Sequence, residues 1–478
     1  MKLKSFKRGI HPHDGKALSA DSPIRPIPTA EGEYVYPLSQ HIGAPAVPVV
    51  SVGDRVLAGQ KIAEAGGFVS APIYASVSGT VKAIGPHPSS SGETVPCITI
   101  ENDGENEWAN PAHDPANCPF TDNGDAVKAA LRSEPLTSMD KAAIRAAIRE
   151  AGIVGLGGAG FPAAVKLTPK SDDDIDRLII NAAECEPYLT SDYRLMLERP
   201  HELLAGCQIL LRLFPKATCV IGVENNKPAA IRLLAELAED YEGITVCPLK
   251  AKYPQGGERM LIKAITGREL NSTLLPSAVG CIVMNVASVI ASFRACALGQ
   301  PLTHRIMTVT GDGIKLPCNL EVPIGISHRA VMEAAGGFAG EPRKIISGGP
   351  MMGTALFTTD IPVTKTSASI LALSKDPVAL HDTTACIRCG KCLNACPERL
   401  VPTKLAEAAE ADDFASFERF GGMECIECGS CAYVCPAKRH IVQSMRYGKR
   451  KTGALIRERK AAEQSKTNEA VTKGGKQA

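Results

Sequence analysis

Apolar and polar residues alternate with a period of two over residues 48–63 and again over 71–84, and glycines mark the breaks. That period places every second side chain on one face. Residues 1–114, rich in Gly, Pro, Val and Ser, are therefore predicted to form a domain of short strands. The pattern changes at residue 115. Strand-like runs at 177–181, 218–223 and 244–249 alternate with helical periodicity at 141–151, 200–213 and 227–240; Ile144 and Ile148 share a face in the first helix. Such alternation over 115–300 implies a parallel sheet covered by helices, an α/β domain. Residues 301–360 return to short strands with Gly and Pro turns. Residues 361–445 hold dense cysteines, and between them 402–420 reads as helix with Leu405, Ala408 and Ala409 on one face. Residues 446–478 carry ten Lys or Arg against three Glu, and are predicted to be a basic, disordered tail.

The longest apolar run, 279–293, is interrupted by Asn285, Ser288 and Ser292. It is too short and too polar to span a bilayer and is predicted to be one buried helix. Residues 1–16 lack an apolar signal core, so the protein is expected to be soluble or peripheral, in a reducing compartment. A net charge of +2 gives no field for nucleic acid. Aromatics at 4%, with one tryptophan, exclude a stacking platform for single strands, and no nucleic-acid partner is expected.

Eight of the 17 cysteines fall into two runs. One is Cys386-x-x-Cys389-x-x-Cys392-x-x-x-Cys396-Pro397; the other is Cys425-x-x-Cys428-x-x-Cys431-x-x-x-Cys435-Pro436. Three thiolates at this spacing reach three corners of an iron–sulfur cubane, and the fourth ligand comes from the other run. The expected sets are Cys386, Cys389, Cys392 with Cys435, and Cys425, Cys428, Cys431 with Cys396. Structural zinc is the alternative, but it uses two separated Cys-x-x-Cys pairs and explains this doubled ladder poorly. The helical segment between the runs points to a helical ferredoxin.

Gly155-x-Gly157-x-x-Gly160 lies in a glycine-rich loop after a predicted helix, with Pro162 suited to the first turn of another. Such a loop can offer free N–H groups to a phosphate, with Lys166 adding charge, or can be a tight packing turn. Asn181-Ala-Ala-Glu-Cys-Glu-Pro-Tyr188 follows a predicted strand, where ligand crevices form in parallel sheets. A second Gly loop, Gln255-Gly-Gly-Glu258, enters another helix.

Taken in order, 155–166, 181–187 and 256–261 resemble the flavin- and NADH-binding subunit of respiratory complex I. From Gly9-Ile-His-Pro-His-Asp-Gly-Lys16 through the second cysteine run, the chain resembles the C subunit of the Rnf (Rsx) ion-translocating electron-transport complex. Residues 1–114 resemble the barrel-sandwich hybrid of biotinyl and lipoyl domains, without a lysine at 74–79, which suggests a docking or packing role. Residues 301–360 resemble the β-grasp soluble-ligand-binding (SLBB) module. The resemblance implies a Rossmann-like domain in which Gly155, Gly157, Gly158, Gly160, Lys166, Asn181, Glu184 and Asn285 line non-covalent FMN, while Phe161, Glu186 and Glu258 hold NAD(H). Ala183 stands where the complex I pattern has Asp, and Gly257 where it has Glu. The implied activity is NADH/ferredoxin oxidoreduction through FMN and two [4Fe-4S] clusters. Its implied partners are integral membrane subunits and an iron–sulfur subunit or ferredoxin, at the cytoplasmic face of a bacterial inner membrane. The alternatives are a flavin-free electron relay and docking scaffold, or a reducer of a redox-sensing transcription factor.

Overall fold

The structure is a computed structural model and describes residues 3–29, 31–121, 123–376, 378 and 380–474, with side chains described through residue 463. It divides into two compact units. One is Met1–Ser5, Pro12–Leu270 and Leu275–Asp376; the other is Phe6–His11, Asn271–Leu274 and Pro377–Ala478.

The first unit contains the predicted β domain. Antiparallel strands Gly32–Pro37, Thr94–Asn102, Gly79–Pro88 and Arg55–Val56 form one sheet, and Val47–Pro48, Lys61–Glu64 and Ile73–Tyr74 form another. The period-two pattern buries Tyr34, Tyr36, Val56, Ile62, Ile73, Val81, Ile98 and Ile100 between them. This core does not stop at a domain boundary. It continues into Met307, Val309, Leu320 and Val322 of a six-stranded mixed sheet. That sheet runs in the order Ile24–Pro26, Cys318–Pro323, His304–Thr310, Ser369–Leu373, Lys344–Ser347, Thr354–Ala355. Two expected boundaries therefore move. Ile24–Pro26 leaves the N-terminal region to pair in parallel with Asn319–Glu321, and Ser369–Leu373 extends the β-grasp-like sheet beyond residue 360. Ser76 Oγ ties the two regions, lying 2.9 Å from Tyr36 Oη and donating to the Ile324 carbonyl at 2.5 Å.

The α/β part is a four-stranded parallel sheet ordered Ile244–Leu249, Thr218–Glu224, Arg177–Ala182, Cys281–Asn285. Helices Pro200–Leu211 and Val286–Leu298 pack over it and are pinned together by the buried Arg294–Glu202 pair at 2.5 and 2.9 Å. The run 279–293 is not one helix. Its β-rich Cys281–Asn285 is the fourth strand, and Asn285 caps the helix that begins at Val286 by accepting from Ala287 N at 3.0 Å. A continuous apolar run hides such a break, because periodicity cannot separate a short buried strand from a buried helix. The sheet order places a topological switch between Arg177–Ala182 and Cys281–Asn285, the position where parallel sheets open a ligand crevice.

The second unit is helical: Lys391–Ala395, Pro402–Glu410, Phe414–Arg419, Ser430–Tyr433 and Ile441–Gly474. Leu405, Ala409, Phe417, Ile441 and Met445 form its core. Phe6–His11 joins it through Gly9 N to the Ala395 carbonyl at 3.1 Å, and Asn271–Leu274 through Ser272 to the Glu424 carboxylate at 2.6 and 2.7 Å. The expectation of a disordered tail from residue 446 is corrected: the helix continues to Gly474, and residues 475–478 lie outside the described residues. Charge count suggested disorder, but the Ala, Lys, Arg, Glu and Gln in this stretch favour helix. Lys449–Glu427 at 2.8 Å and Arg459–Glu418 at 2.7 Å fasten it to the shorter elements. Among the described residues, no helix is long and apolar enough to cross a membrane.

Candidate functional sites

Asn181, one residue before the end of its strand, pairs in register with Asn285, the last residue of the neighbouring strand, across the switch point. The glycine loop lies beside them. It is a closed turn: Gly155 N donates to the Phe161 carbonyl at 2.9 Å, and Ala163 N to the Ile153 carbonyl at 2.9 Å. Ser288 Oγ accepts from Leu156 N and donates to the Val154 carbonyl, both at 2.9 Å, which fixes the loop on the helix after Asn285. Two glycines are sterically required. A Cβ on Gly157 would sit 2.6 Å from Asn285 Nδ2. Gly160 has a φ of +70° and faces Thr366, 2.7 Å from where its Cβ would be. The helix that follows is a single turn, Ala163–Lys166, and Pro162 is its N-cap rather than part of its first turn.

Together these elements enclose a cavity of about 550 Å³, within the usual range for one cofactor-sized ligand. Gly155, Gly157, Gly158, Gly160, Phe161, Lys166, Asn181, Glu258 and Asn285 all line it. Lys166 Nζ donates to Glu258 Oε2 and to the Val283 carbonyl, both at 3.0 Å. Asn181 Nδ2 donates to the Gly256 carbonyl at 2.8 Å, drawing the second Gly loop to the same wall. A loop of small residues with a cation and two amides suits a phosphate-bearing planar cofactor.

Glu184 and Glu186 are not brought to this lining. Glu184 has a φ of +45° and turns into a buried ionic cluster. Its Oε1 accepts from Asp192 N at 2.7 Å, and its Oε2 lies 3.8 Å from Lys16 Nζ. Burial pushes its carboxyl up to about 7, against the pull of Lys16 and Lys227. Asp192 in turn accepts from Asn285 Nδ2 at 2.7 Å, so Glu184 reaches the cavity through two intermediates. Glu186 accepts from Met351 N at 2.7 Å and Met352 N at 3.0 Å, which seats it in a turn of the β-grasp-like sheet. Ala183, at one departure from the complex I pattern, is fully buried among Leu249, Leu261 and Ile265. Gly257, at the other, is the N-cap of helix Glu258–Thr266.

Sequence reasoning missed Lys16 as a structural cation, Ser288 as the loop's anchor, and the contribution of Ile42 and Phe68 from the N-terminal β domain to the cavity. The basic end of the Gly9–Lys16 segment was the available signal for the first. Nothing local signals the others.

In the helical unit the eight thiols sort into two cavities. One is lined by Cys386, Cys389, Cys392 and Cys435, the other by Cys396, Cys425, Cys428 and Cys431. Each quartet draws three members from one run and one from the other, as the spacing implies. The two runs repeat the same backbone turns. Arg388 and Glu427 have φ of +55° and +56°, Gly390 and Gly429 +73° and +79°, and Arg399 and Lys438 +59° and +52°. The left-handed residues after the first cysteines aim amides inward: Arg388 N lies 3.4 Å from Cys386 Sγ, and Glu427 N lies 3.4 Å from Cys425 Sγ. Four thiols around an apolar cavity suit a cluster with spread corners.

Comparison with known proteins follows the same division. Residues 4–105 match the RnfC barrel sandwich hybrid domain, 148–293 the Nuo51 FMN-binding domain, 306–355 the SLBB domain and 379–436 the 4Fe-4S dicluster domain. The chain is 44% identical to the C subunit of the proton-translocating ferredoxin:NAD(+) oxidoreductase complex of Clostridium ljungdahlii, over 96% of each chain. It is 42% identical to the C subunit of the Na(+)-translocating ferredoxin:NAD(+) oxidoreductase complex of Acetobacterium woodii, over 94% of this chain and 97% of that one. The C subunit of the ion-translocating oxidoreductase complex of Rhodobacter capsulatus is 41% identical over 94% of this chain and 83% of its own. In fold, the chain is similar to an NAD+-reducing [NiFe]-hydrogenase crystallised air-oxidised, with a TM-score of 0.50 at 22% identity, over 67% of this chain and 65% of that one.

Proposed function

Because the chain belongs to the family of C subunits of ion-translocating oxidoreductase complexes, we propose that it exchanges electrons between NAD(H) and ferredoxin within such a complex. The observation that carries this reading is the presence, on one chain, of a glycine-walled cavity at the sheet's switch point and two interleaved four-thiol cradles. Gly155, Gly157, Gly158, Gly160 and Lys166 fit the phosphate of FMN, and Asn181 and Asn285 fit its polar ring and ribityl edges. Phe161 and Glu258 stand on the same walls for the nicotinamide nucleotide. The two cysteine quartets fit [4Fe-4S] clusters. Bound FMN supplies the step from hydride, which carries two electrons, to the single electrons each cluster accepts. Glu184 and Glu186 act from behind, by holding Asp192 and the 351–352 turn.

The chain sits peripherally at the cytoplasmic face of a bacterial inner membrane, and integral membrane partners carry the ion. The coupling is energetically sensible. A two-electron drop of roughly 100 mV releases about 4.7 kcal/mol. Moving one charge against ~100 mV costs about 2.3 kcal/mol, so about two ions can follow. The test is anaerobic addition of NADH to the reconstituted chain. Flavin bleaching followed by cluster reduction is expected; the absence of both ends the proposal.

A further inference from the structure

A cavity of about 550 Å³ has room for one cofactor-sized ligand. If flavin occupies it, a dinucleotide that reaches the flavin with its nicotinamide must leave its adenylate half at the mouth. The N-terminal β domain supplies Ile42 and Phe68 to this cavity, and the α/β part supplies Leu275. Ile42, Phe68 and Leu275 line the cavity and are nonetheless 48%, 66% and 64% exposed. Large apolar side chains gathered on one rim at such exposure mark a binding surface.

The loops carrying two of these side chains are bonded to each other. Ala44 N donates to the Val69 carbonyl at 2.9 Å, Gly66 N to Ser70 Oγ at 3.0 Å, and Ala71 N to His41 Nε2 at 3.1 Å. The approach is so close that a Cβ on Gly43 would lie 1.9 Å from the Val69 carbonyl oxygen, and one on Gly66 would lie 2.0 Å from that of Pro45. These bonds tie the loop of Ile42 to the loop of Phe68. The guanidinium of Arg149 stands 6.0 Å from the centre of the Phe68 ring. Arg149 belongs to helix Lys141–Glu150, which leads directly into the glycine loop. An exposed aromatic face beside a guanidinium suits a purine ring next to a phosphate: the ring stacks and the cation takes the charge.

We propose that Phe68, with Arg149 beside it, is the subsite for the adenylate half of the nicotinamide dinucleotide, so that the β domain contributes to substrate binding. This rests on the NAD(H) reading above. The experiment uses the reconstituted full chain with ferricyanide as acceptor, and compares NADH with reduced nicotinamide mononucleotide, which lacks the adenylate. Base–aromatic stacking is worth about 1–3 kcal/mol. Phe68→Ala is therefore expected to raise KM for NADH about tenfold, with kcat within about twofold. The mononucleotide kinetics stay unchanged, ADP-ribose weakens as an inhibitor in parallel, and Phe68→Tyr restores the wild-type values. Phe68 is exposed, so folding is preserved. Unchanged NADH kinetics in Phe68→Ala overturn the proposal and leave the rim to a protein partner; an equal loss with both donors also overturns it. A wild-type chain that accepts electrons from neither donor overturns the NAD(H) reading beneath it.

Discussion

Asn181 and Asn285 stand opposite each other on adjacent parallel strands, yet their side chains hold different things. Asn181 grips the second glycine loop through the Gly256 carbonyl, while Asn285 caps its own helix and reaches Asp192. The first glycine loop packs on Asn285, which makes that residue the meeting point of strand, helix and loop.

This contact separates two glycines that look alike in sequence. Gly157→Ala drives a methyl to 2.6 Å from Asn285 Nδ2, whereas a Cβ on Gly158 meets nothing within 4 Å. Overpacking of this kind costs about 1–3 kcal/mol. Gly157→Ala should purify with much less flavin and a lowered melting temperature. Gly158→Ala should melt within about 0.5 kcal/mol of wild type. Flavin content and thermal melts check both, and equal effects at the two positions would show that the Asn285 contact is not what matters.

The strand Arg177–Ala182 was legible because Leu178, Ile179 and Ile180 are a compact apolar run bounded by polar residues. The strand Cys281–Asn285 was not, because its apolar residues pass unbroken into a helix and only the cap at Asn285 divides them. The thiol quartets were legible from spacing, since three thiols of each are local to one run and the fourth precedes the proline of the other. The orientation of Glu184 and Glu186 was not. Their partners, Lys16 for Glu184 and the 351–352 turn for Glu186, lie 168 and 165 residues away in sequence. A carboxylate after a strand announces a loop, but not which wall it faces.

The complex I resemblance puts both Glu186 and Glu258 at the nicotinamide nucleotide, and the structure gives them different surroundings. Glu186 satisfies two backbone N–H groups, and burial raises its carboxyl above the usual range. Glu258 lines the cavity and pairs with Lys166. Glu186→Ala leaves the half-buried Met351 amide without its acceptor, at about 1–3 kcal/mol. It should lower the melting temperature while leaving KM for NADH near the wild-type value. Glu258→Gln should do the reverse, raising KM several-fold with little change in stability. Steady-state kinetics beside thermal melts decide this, and the opposite pattern would return Glu186 to the substrate.

Lys365 is fully buried and donates to the carbonyls of Pro72 and Gly152, both at 2.6 Å, with no carboxylate among its partners. Burial alone lowers its ammonium to about 7, against about 10.4 in an unfolded chain. Between these values the unfolded state binds the extra proton, so stability rises with pH across this window. Below about 7 both states are protonated and the cost of the buried charge is fully present. Lys365→Met removes the titrating group, so the stability difference between wild type and variant should tilt toward wild type as pH rises from 7 to 10. Trp108, the sole tryptophan, is buried in the same unit and stacks on His304 at 6.2 Å, so its fluorescence reports the unfolding. A difference that stays flat with pH would mean that Lys365 keeps its ordinary affinity for protons.

The interleaving of the cysteines makes the sharpest prediction, because it contradicts what proximity in sequence suggests. Cys435 follows Cys425, Cys428 and Cys431 in the chain but lines the cavity of Cys386, Cys389 and Cys392. Cys396 follows the first run but lines the cavity of the second. Cys435→Ser should therefore damage the same cluster as Cys389→Ser, leave about half the iron, and preserve the paramagnetic signal that Cys428→Ser removes. Cys396→Ser should show the complementary loss. Electron paramagnetic resonance of the reduced variants, with iron analysis, tests the assignment. If Cys435→Ser matches Cys428→Ser instead, each run holds its own cluster and the two cavities are wrongly paired. The distinction bears on electron flow. Each crossing cysteine ties one cluster to the chain segment that carries the other, so the two sites share a single rigid frame rather than two independent loops.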